Sequence, residues 1–345
     1  MDTGKKKKFA LNILLFLTIM VLTIWFVFRE EDFGAVFTAM RQMSLWHLSL
    51  AVVIALFFVA MEGIMIWYLL RSIDGTSSLS SCISCSFIGF LFSGITPSAT
   101  GGQPMQLYYL KKDGNSWSLS SVVLMTVALM YKLVLVLFGA GILVFWNRPL
   151  KSYLGIFYYR LFLLGMILNT MLVVVLLMVM FTPSVIRFLT GRLEWLAVKL
   201  HLLKEAGSKK ARLDHFMSSY EEALHFLKEH RGKMFVVLLG TVVQRAAVFA
   251  LTYVVYRGMG MSGTELTTIM WLQASVYIAV DMLPVPGAQG ITEAMYRRVF
   301  RDIFTAGHVT ASMCISRGVS FYLMILVGIA VTVYQFCIKK WTGAD

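Results

Sequence analysis

The chain has 345 residues, of which 58% are hydrophobic and only 14% are charged, and its mean hydropathy is +0.75. This composition excludes an ordinary soluble globular domain and indicates transmembrane helices. The net charge of +13 suits nucleic-acid binding in principle. The basic residues lie mostly beside apolar segments, however, so we interpret them as loop charge facing anionic lipid and expect no nucleic-acid partner.

Long apolar segments follow one another along the chain. Crossing the hydrocarbon core takes a helix of roughly 20 residues, and six segments reach this length: Phe9–Phe28, Trp46–Leu70, Ser118–Phe145, Ile156–Phe181, Met234–Tyr256 and Ala311–Ile338. The first follows four lysines and resembles a signal peptide. Its 20 residues and the absence of a small-residue cleavage site after it favour a retained span.

Two shorter apolar segments, Leu79–Ile95 and Thr268–Leu283, have 17 and 16 residues. Each ends at a stretch rich in proline and glycine, which is unusual beside a segment of membrane-grade hydropathy. The sequence therefore predicts an all-α polytopic membrane protein with about six full transmembrane helices and two re-entrant helical segments. Full crossing by the short segments stays an alternative.

The distribution of basic residues favours the re-entrant arrangement. With both short segments re-entrant, 19 Lys and Arg lie on the cytoplasmic side and nine lie outside, as the positive-inside rule expects. The cluster Arg297, Arg298 and Arg301 is the weak point, because it would lie outside. This topology predicts a multi-pass protein of the cell membrane with both termini in the cytoplasm.

One stretch between the spans is polar and basic. We predict a single domain over residues 1–345, with residues 183–232 forming a cytoplasmic amphipathic helical insertion. Apolar residues there recur at steps of three and four, from Val185 to Leu203 and from Phe216 to Leu227. Such helices either lie on an anionic leaflet or pack under the helical bundle, and the sequence leaves both open.

The two Pro/Gly-rich stretches resemble each other. They are "ITPSATGGQPMQLYYLKK" and "LPVPGAQGITEAMYRR": a proline follows an apolar run, glycines follow the proline, and an aromatic residue and a basic pair close the segment. In the predicted topology they enter from opposite sides, as in an inverted repeat. Chance similarity of short Pro/Gly-rich stretches is the competing explanation.

Irregular backbone at membrane depth persists only where it is buried in protein or lines a wet cavity. A helix that restarts there directs its free N–H groups and its positive dipole end into that cavity, which suits a phosphate. Hydroxyl and amide groups near both restarts are therefore candidates for contact with an anionic head group: Thr96, Ser98, Thr100, Gln103, Gln106, Thr292 and Glu293.

Five ionisable residues lie within apolar segments, where charge is costly and usually functional: Glu62, Lys132, Arg245, Asp281 and Arg317. Three cations against two carboxylates leave one positive charge, which fits a lipid phosphate. We expect Lys132 and Arg245 to contact the phosphate, with Glu62 and Asp281 balancing them or meeting an amine. The alternatives are snorkelling to the interface and ion pairs that only hold the bundle together.

No motif for catalysis or metal binding is present. The sequence has no P-loop, no GxSxG, no HExxH and no zinc-ligand spacing. Cys82 and Cys85 form a CxxC within an apolar segment, where two small residues on one helix face are the simpler explanation. We therefore expect no enzymatic activity, no metal and no cofactor.

The two quoted stretches, with their order and spacing, resemble the membrane region of the lysylphosphatidylglycerol synthase family, also called flippase-like. The resemblance runs from about Phe9 to Ile338. It implies a functional role for the matching positions: Pro97, Gly101, Gly102, Gln103, Pro284, Pro286, Gly287, Gly290 and Glu293. Ala288 and Gln289 depart from the glycine or serine that relatives often have, which puts the local backbone there in question.

This resemblance implies a function in lipid transport. In fused relatives the membrane region is thought to flip aminoacylated phosphatidylglycerol, and a C-terminal domain transfers the aminoacyl group; this chain resembles the stand-alone transport half. We expect a flippase for an anionic or aminoacylated phospholipid of the phosphatidylglycerol type. Membrane phospholipid is the expected partner. Association with a separate lipid-synthesising enzyme and formation of a homo-oligomer are compatible with the sequence. The sequence does not identify the lipid.

Three other functions stay open. The chain could be a phosphatidylglycerol lysyltransferase-type enzyme or its membrane subunit, a flippase for polyprenyl-phosphate-linked sugars, or a membrane scaffold. The polyprenyl alternative shares the phosphate chemistry. An enzyme would need a constellation of groups near His201–His230, and the histidine spacing there fits none.

Overall fold

The computed structural model describes residues 43–181, 229–304 and 308–338, together with residues 34, 37, 38, 41, 221, 224 and 225. The predicted first span Phe9–Phe28 and most of the predicted insertion 183–232 lie outside the described residues. The described part is helical and contains no β-strand. Its helices are α1 (Leu45–Ser72), α2 (Leu79–Ile95), α3 (Gly102–Lys112), α4 (Trp117–Phe145), α5 (Asn147–Phe181), α6 (Arg231–Gly258), α7 (Leu266–Val280), α8 (Ile291–Phe300), α9 (His308–Arg317) and α10 (Met324–Val333).

Five of these helical stretches are long and apolar enough to cross a membrane. They are α1, α4, α5, α6 and the run from His308 to Phe336, in which a π-helical segment, Gly318–Leu323, joins α9 to α10. The shortest has 28 residues, so at ~1.5 Å per residue it exceeds the ~30 Å of hydrocarbon. The prediction of an all-α polytopic membrane protein is confirmed, and these five stretches coincide with predicted spans.

Local sequence explains where several helices begin. The side chains of Ser78 and Ser116 accept hydrogen bonds from the backbone N–H groups of Ser81 and Leu119, and so cap α2 and α4. Gly155 has a φ of +68° and kinks α5. The sequence placed the start of this span at Ile156, directly after the kink, because the preceding residues are too polar for a membrane segment.

The bundle has two ends, which we name after the residues Lys112 and Gly258. At the Gly258 end, the Ser44 N–H, just before α1, donates to the carbonyl oxygen of Gly258, the last residue of α6, at 3.2 Å. The start of α1 thus meets the end of α6, so the two helices run antiparallel. At the Lys112 end, the Thr76 N–H between α1 and α2 donates to Asn115 Oδ1, 3.1 Å away, between α3 and α4. Each long helix therefore connects one end to the other.

The short helices form two hairpins. The first hairpin is α2, a break at residues 96–101, and α3; Ser81 near its start donates to the Asp113 carboxylate just after its end, at 2.8 Å. It therefore opens at the Lys112 end. The second hairpin is α7, a break at residues 281–290, and α8. Phe304 beyond its end packs on Tyr256, so it opens at the Gly258 end.

Small residues let the hairpins pack closely against the long helices. A Cβ on Gly63 of α1 would lie 2.5 Å from the Ile83 Cα of α2, and one on Gly165 of α5 would lie 2.2 Å from the Ile278 carbonyl oxygen of α7. Cys82 is fully buried in the first of these contacts and is a free thiol. The CxxC thus packs within a helix interface, as the simpler explanation expected.

Candidate functional site

The two breaks contain the same three-residue backbone turn. Pro97-Ser98-Ala99 and Pro286-Gly287-Ala288 each form a single 3-10 turn whose second and third residues have positive φ. In both, the next helix begins five residues after the proline, at Gly102 and at Ile291. Ala288 therefore fits the turn, although it stands where relatives often have glycine or serine. The backbones diverge at the next two residues: Thr100 and Gly101 are helical, whereas Gln289 is extended and Gly290 has a φ of +78°.

The breaks meet each other inside the bundle. Ser98 Oγ of the first break lies 3.5 Å from the Leu283 carbonyl oxygen of the second. Phe321, in the π-helical segment, lies against both: a Cβ on Gly287 would approach its ring to 2.5 Å, and one on Gly94 to 3.3 Å. Hairpins that enter from opposite ends are thus joined at their tips.

Hydroxyl groups hold the first break together. Thr96 Oγ1 donates to the Phe92 carbonyl oxygen at 2.6 Å and accepts from the Gly101 N–H at 2.8 Å. Thr100 Oγ1 donates to the Pro97 carbonyl oxygen at 2.9 Å. Two of the hydroxyls predicted to face a ligand therefore bind the backbone of the break itself.

Charged side chains hold the second break. One carboxylate oxygen of Glu293 accepts from the Gly290 N–H at 2.6 Å, and the other accepts from Arg317 Nε at 2.9 Å. Arg317 also donates to the Gly287 carbonyl oxygen at 3.1 Å. Glu293 lies in the first turn of α8, as predicted. Both its carboxylate oxygens are engaged in this network, so it holds the break.

A second ion pair joins α4 to the second break. The Lys132 ammonium contacts the carboxylate of Asp281, the residue that follows α7. The other oxygen of this carboxylate accepts a hydrogen bond from the Tyr131 hydroxyl. Each side chain of the ion pair is 12% exposed, so the pair lies inside the bundle rather than snorkelling to an interface.

Arg245 has a different environment. It is 6% exposed, and its guanidinium carbon lies 3.7 Å from the centre of the Tyr131 ring and 4.7 Å from that of Phe58. No carboxylate of the described residues lies within salt-bridge distance of it, and its buried Nε has no hydrogen-bond partner among them. Burying a cation in this way is costly unless something completes its interactions.

Glu62 of α1 faces the same region. Its Oε1 accepts a hydrogen bond from Gln106 Nε2 of α3 at 2.7 Å. Gly89 of α2 makes room for this amide, because a Cβ there would lie 2.3 Å from Gln106 Nε2. The first hairpin thus positions a neutral donor on Glu62, whereas the second hairpin uses full charges.

The charge count made from the sequence needs a correction. It balanced three cations against two carboxylates, but Glu293 is 7% exposed and pairs with Arg317, which makes the formal count even. No pattern in the sequence indicates this pairing, because α8 is too short and too polar to be counted as a membrane segment. Arg245 and Glu62 remain as the two members without a salt bridge among the described residues.

Most of these groups line one cavity of about 670 Å³. Of the predicted site residues, it is lined by Glu62, Ser98, Thr100, Gln103, Gln106, Lys132, Arg245, Asp281, Gly287, Thr292 and Arg317. Others lie in or beside the breaks without lining it: Thr96, Pro97, Gly101, Gly102, Pro284, Pro286, Gly290 and Glu293. The charges predicted from four separate spans and the second break are therefore brought together.

The mouth of the cavity lies at the first break. Its lining residues Thr100, Gln103 and Pro104 are exposed, whereas the lining residues of the second break, such as Asp281 and Gly287, are half-buried. Uncharged polar residues extend the lining away from the mouth, and these are Thr252, Gln273, Thr292, Tyr296, Ser316 and Ser320. The cavity can thus hold both a charged and a hydroxyl-bearing group.

Sequence reasoning missed three aromatic residues of the site. Tyr131, Phe58 and Phe321 line the cavity and stack on its arginines. In a chain with 25 phenylalanines and 14 tyrosines, no local pattern distinguishes them from residues that face lipid. The one available signal was that Tyr131 directly precedes Lys132.

Fold and site together define an all-α, multi-pass membrane protein with a charged internal cavity between two helical hairpins. The chain belongs to the family described as the lysylphosphatidylglycerol synthase TM region, whose model matches residues 11–328. This confirms the resemblance found in the two Pro/Gly-rich stretches. Neither the curated proteins nor the solved structures include a match to the chain.

Proposed function

We propose that this protein moves a phosphate-bearing lipid head group across the membrane through the cavity, while the acyl chains stay in lipid. The proposal rests on the environment of Arg245. Its guanidinium is buried in the cavity and has no carboxylate partner among the described residues. A phosphate oxygen accepts charge-assisted hydrogen bonds from guanidinium and would offset its burial.

The proposal places both hairpins as re-entrant elements of the bilayer. The first opens at the Lys112 end and the second at the Gly258 end, and their tips meet. Because α5 ends and α6 begins at the Lys112 end, the basic segment joining them connects there. From the positive-inside rule we infer that this end faces the cytoplasm, in the cell membrane.

The opposed hairpins support an alternating-access mechanism. Transporters built from inverted repeats hold their substrate near the midplane, between interrupted helices that enter from opposite sides. The shared turn at Pro97 and Pro286, with helices restarting at the same spacing, favours such a repeat over chance similarity. Movement of one hairpin against the other would expose the cavity to each leaflet in turn.

Family membership favours a phospholipid of the phosphatidylglycerol type as the substrate. Glu62 offers a carboxylate in the same cavity, which suits a head group that also carries an amine, such as an aminoacyl ester. The phosphate contact alone would serve a polyprenyl-phosphate-linked sugar equally well. The experiment below therefore includes both kinds of lipid.

Transport can be measured with purified protein in vesicles that contain fluorescent lipids, by quenching the outer leaflet. We expect movement of an anionic phospholipid above that of protein-free vesicles. Arg245→Gln removes charge-assisted hydrogen bonds of about 1.5–3 kcal/mol, so we expect the rate to fall roughly tenfold to a hundredfold. Arg257→Gln, an exposed position at the end of the same helix, should leave it unchanged.

Several outcomes would contradict the proposal. Rates equal to protein-free vesicles for phosphatidylglycerol, its lysyl ester, phosphatidylethanolamine and a polyprenyl-phosphate sugar would exclude a flippase for these lipids. An equal loss of transport rate in Arg245→Gln and Arg257→Gln would show that Arg245 is not a specific phosphate site. Formation of aminoacylated lipid from phosphatidylglycerol and charged tRNA would indicate a lysyltransferase-type enzyme instead.

A further inference from the structure

Tyr131 lies between Arg245 and the second hairpin. The face of its ring contacts the Arg245 guanidinium at 3.7 Å, measured from the guanidinium carbon to the ring centre. Its hydroxyl donates to the carboxylate of Asp281. One side chain of α4 thus contacts α6 through its ring and the second break through its hydroxyl.

The carboxylate that Tyr131 holds is positioned to control the hairpin. Asp281 directly follows α7 and is the first residue of the second break. Lys132 binds the other oxygen of this carboxylate, so two neighbouring residues of α4 hold the tip of the second hairpin. Within the described residues, the ion pairs that hold that tip are Lys132 with Asp281 and Arg317 with Glu293.

The contacts of Tyr131 depend on each other physically. A cation on the face of an aromatic ring is attracted by the ring quadrupole, and it withdraws charge from the phenol, which makes the hydroxyl a stronger donor. Hydrogen bonds in such a chain polarise one another. A phosphate that binds Arg245 compensates the cation, so the phenol is less polarised and its hydrogen bond to Asp281 weakens, while the ring still holds the guanidinium in the orientation that the phosphate needs.

We propose that Tyr131 is a positioning residue that couples anion binding at Arg245 to release of the second hairpin. Its ring holds the guanidinium ready for the phosphate, and its hydroxyl transmits occupancy of that site to Asp281. The inference rests on the proposed transport function, which it deepens by naming how the cavity is regulated. It also predicts that binding and transport respond differently to changes at one residue.

Two substitutions separate the ring from the hydroxyl. Tyr131→Phe keeps the ring under Arg245 and removes only the bond to Asp281, whereas Tyr131→Leu removes both. Tyr253→Phe is the matched control, because Tyr253 is half-buried on α6, stacks on Tyr256 and does not line the cavity. Binding is measured by calorimetry with dioctanoyl phosphatidylglycerol as the probe, and transport is measured in vesicles.

For Tyr131→Phe we expect a dissociation constant within about twofold of that of the wild type, because the cation–π contact remains, and a transport rate about tenfold lower. For Tyr131→Leu we expect the dissociation constant itself to rise roughly tenfold, as loss of a desolvated cation–π contact implies. Tyr253→Phe should match the wild type in both measurements.

The inference is overturned if Tyr131→Phe transports at the wild-type rate, or if it weakens binding as much as Tyr131→Leu does. Failure of the proposed function gives a different result. In that case the wild type moves no lipid in vesicles, although binding of the short-chain probe still distinguishes Tyr131→Leu from Tyr131→Phe and so tests the positioning role of the ring separately.

Discussion

The two breaks in the helical hairpins share a three-residue backbone turn, but different chemistry holds each of them. At the first break, the hydroxyls of Thr96 and Thr100 bind nearby backbone groups. At the second, Glu293, Arg317 and the Asp281 carboxylate form ion pairs with one another or with α4. The same three-residue turn can thus be held either by neutral hydrogen bonds or by ion pairs.

This difference separates two roles within one cavity. The first break is exposed and forms the mouth, and in the proposed transport its neutral groups at Thr100 and Gln103 would let a head group pass without binding it tightly. The second break is half-buried, and its position depends on charges that a charged ligand can perturb. This asymmetry lies in the side chains around the two turns and in the backbone that follows them, where Gly101 has a φ of −80° and Gly290 has a φ of +78°.

The largest effect is expected from breaking the ion pair at the second break. Glu293→Gln leaves the guanidinium of Arg317 buried and uncompensated, and breaking a buried pair in this way costs about 3–5 kcal/mol. It also weakens the hydrogen bond that the Gly290 N–H donates to this side chain. The free energy of unfolding, measured by SDS titration in mixed micelles, should fall by this amount.

The control for this change is Glu265→Gln, because Glu265 is exposed just before α7 and should alter the unfolding free energy by less than about 0.5 kcal/mol. The double variant Glu293→Gln/Arg317→Met removes both charges and should recover part of the loss. Equal stability of Glu293→Gln and the control would show that ion pairing does not hold the second break.

An intermediate effect is expected from overpacking the first break. Gly102 begins α3, and a Cβ there would lie 2.0 Å from Ser93 Oγ and 2.8 Å from the Gly89 carbonyl oxygen. Gly102→Ala should therefore destabilise the protein by about 1–3 kcal/mol in the same titration. The displaced α3 should also narrow the cavity mouth and slow transport.

Gly232→Ala serves as the matched control, since Gly232 lies in the first turn of α6 and a Cβ there meets no atom within 4 Å. Alanine is the better helix former by about 1 kcal/mol, so this variant should be unchanged or more stable. A stable Gly102→Ala variant with normal transport would mean that the close approach of α2 and α3 does not shape the mouth.

Much of the fold could be predicted because hydropathy and length fix which segments cross a membrane. The spans around Glu62, Lys132 and Arg245 followed from apolar runs, and the breaks at Pro97 and Pro286 followed from residues that do not continue a helix. The family could be recognised from the order and spacing of the same two stretches.

Contacts between distant segments could not be predicted. Nothing in the chain shows that Glu293, in a short polar helix, is buried against Arg317, or that Lys132 pairs with Asp281 149 residues away. These pairings depend on how the hairpins enter the bundle, which hydropathy does not specify. Arg245 and Lys132 appeared equivalent in the sequence, and only their neighbours distinguish them.

The smallest effect tests whether the two breaks share their backbone. Ala99 and Ala288 have φ values of +55° and +49°, a left-handed conformation that costs an L-residue about 1–2 kcal/mol and glycine almost nothing. Glycine also adds conformational entropy to the unfolded chain, which offsets part of the strain relieved. Ala99→Gly and Ala288→Gly should therefore each stabilise the protein by roughly 0.5 kcal/mol. Ala294→Gly, within α8, should instead destabilise it by about 1 kcal/mol. Opposite signs at the two breaks in the SDS titration would show that their turns differ.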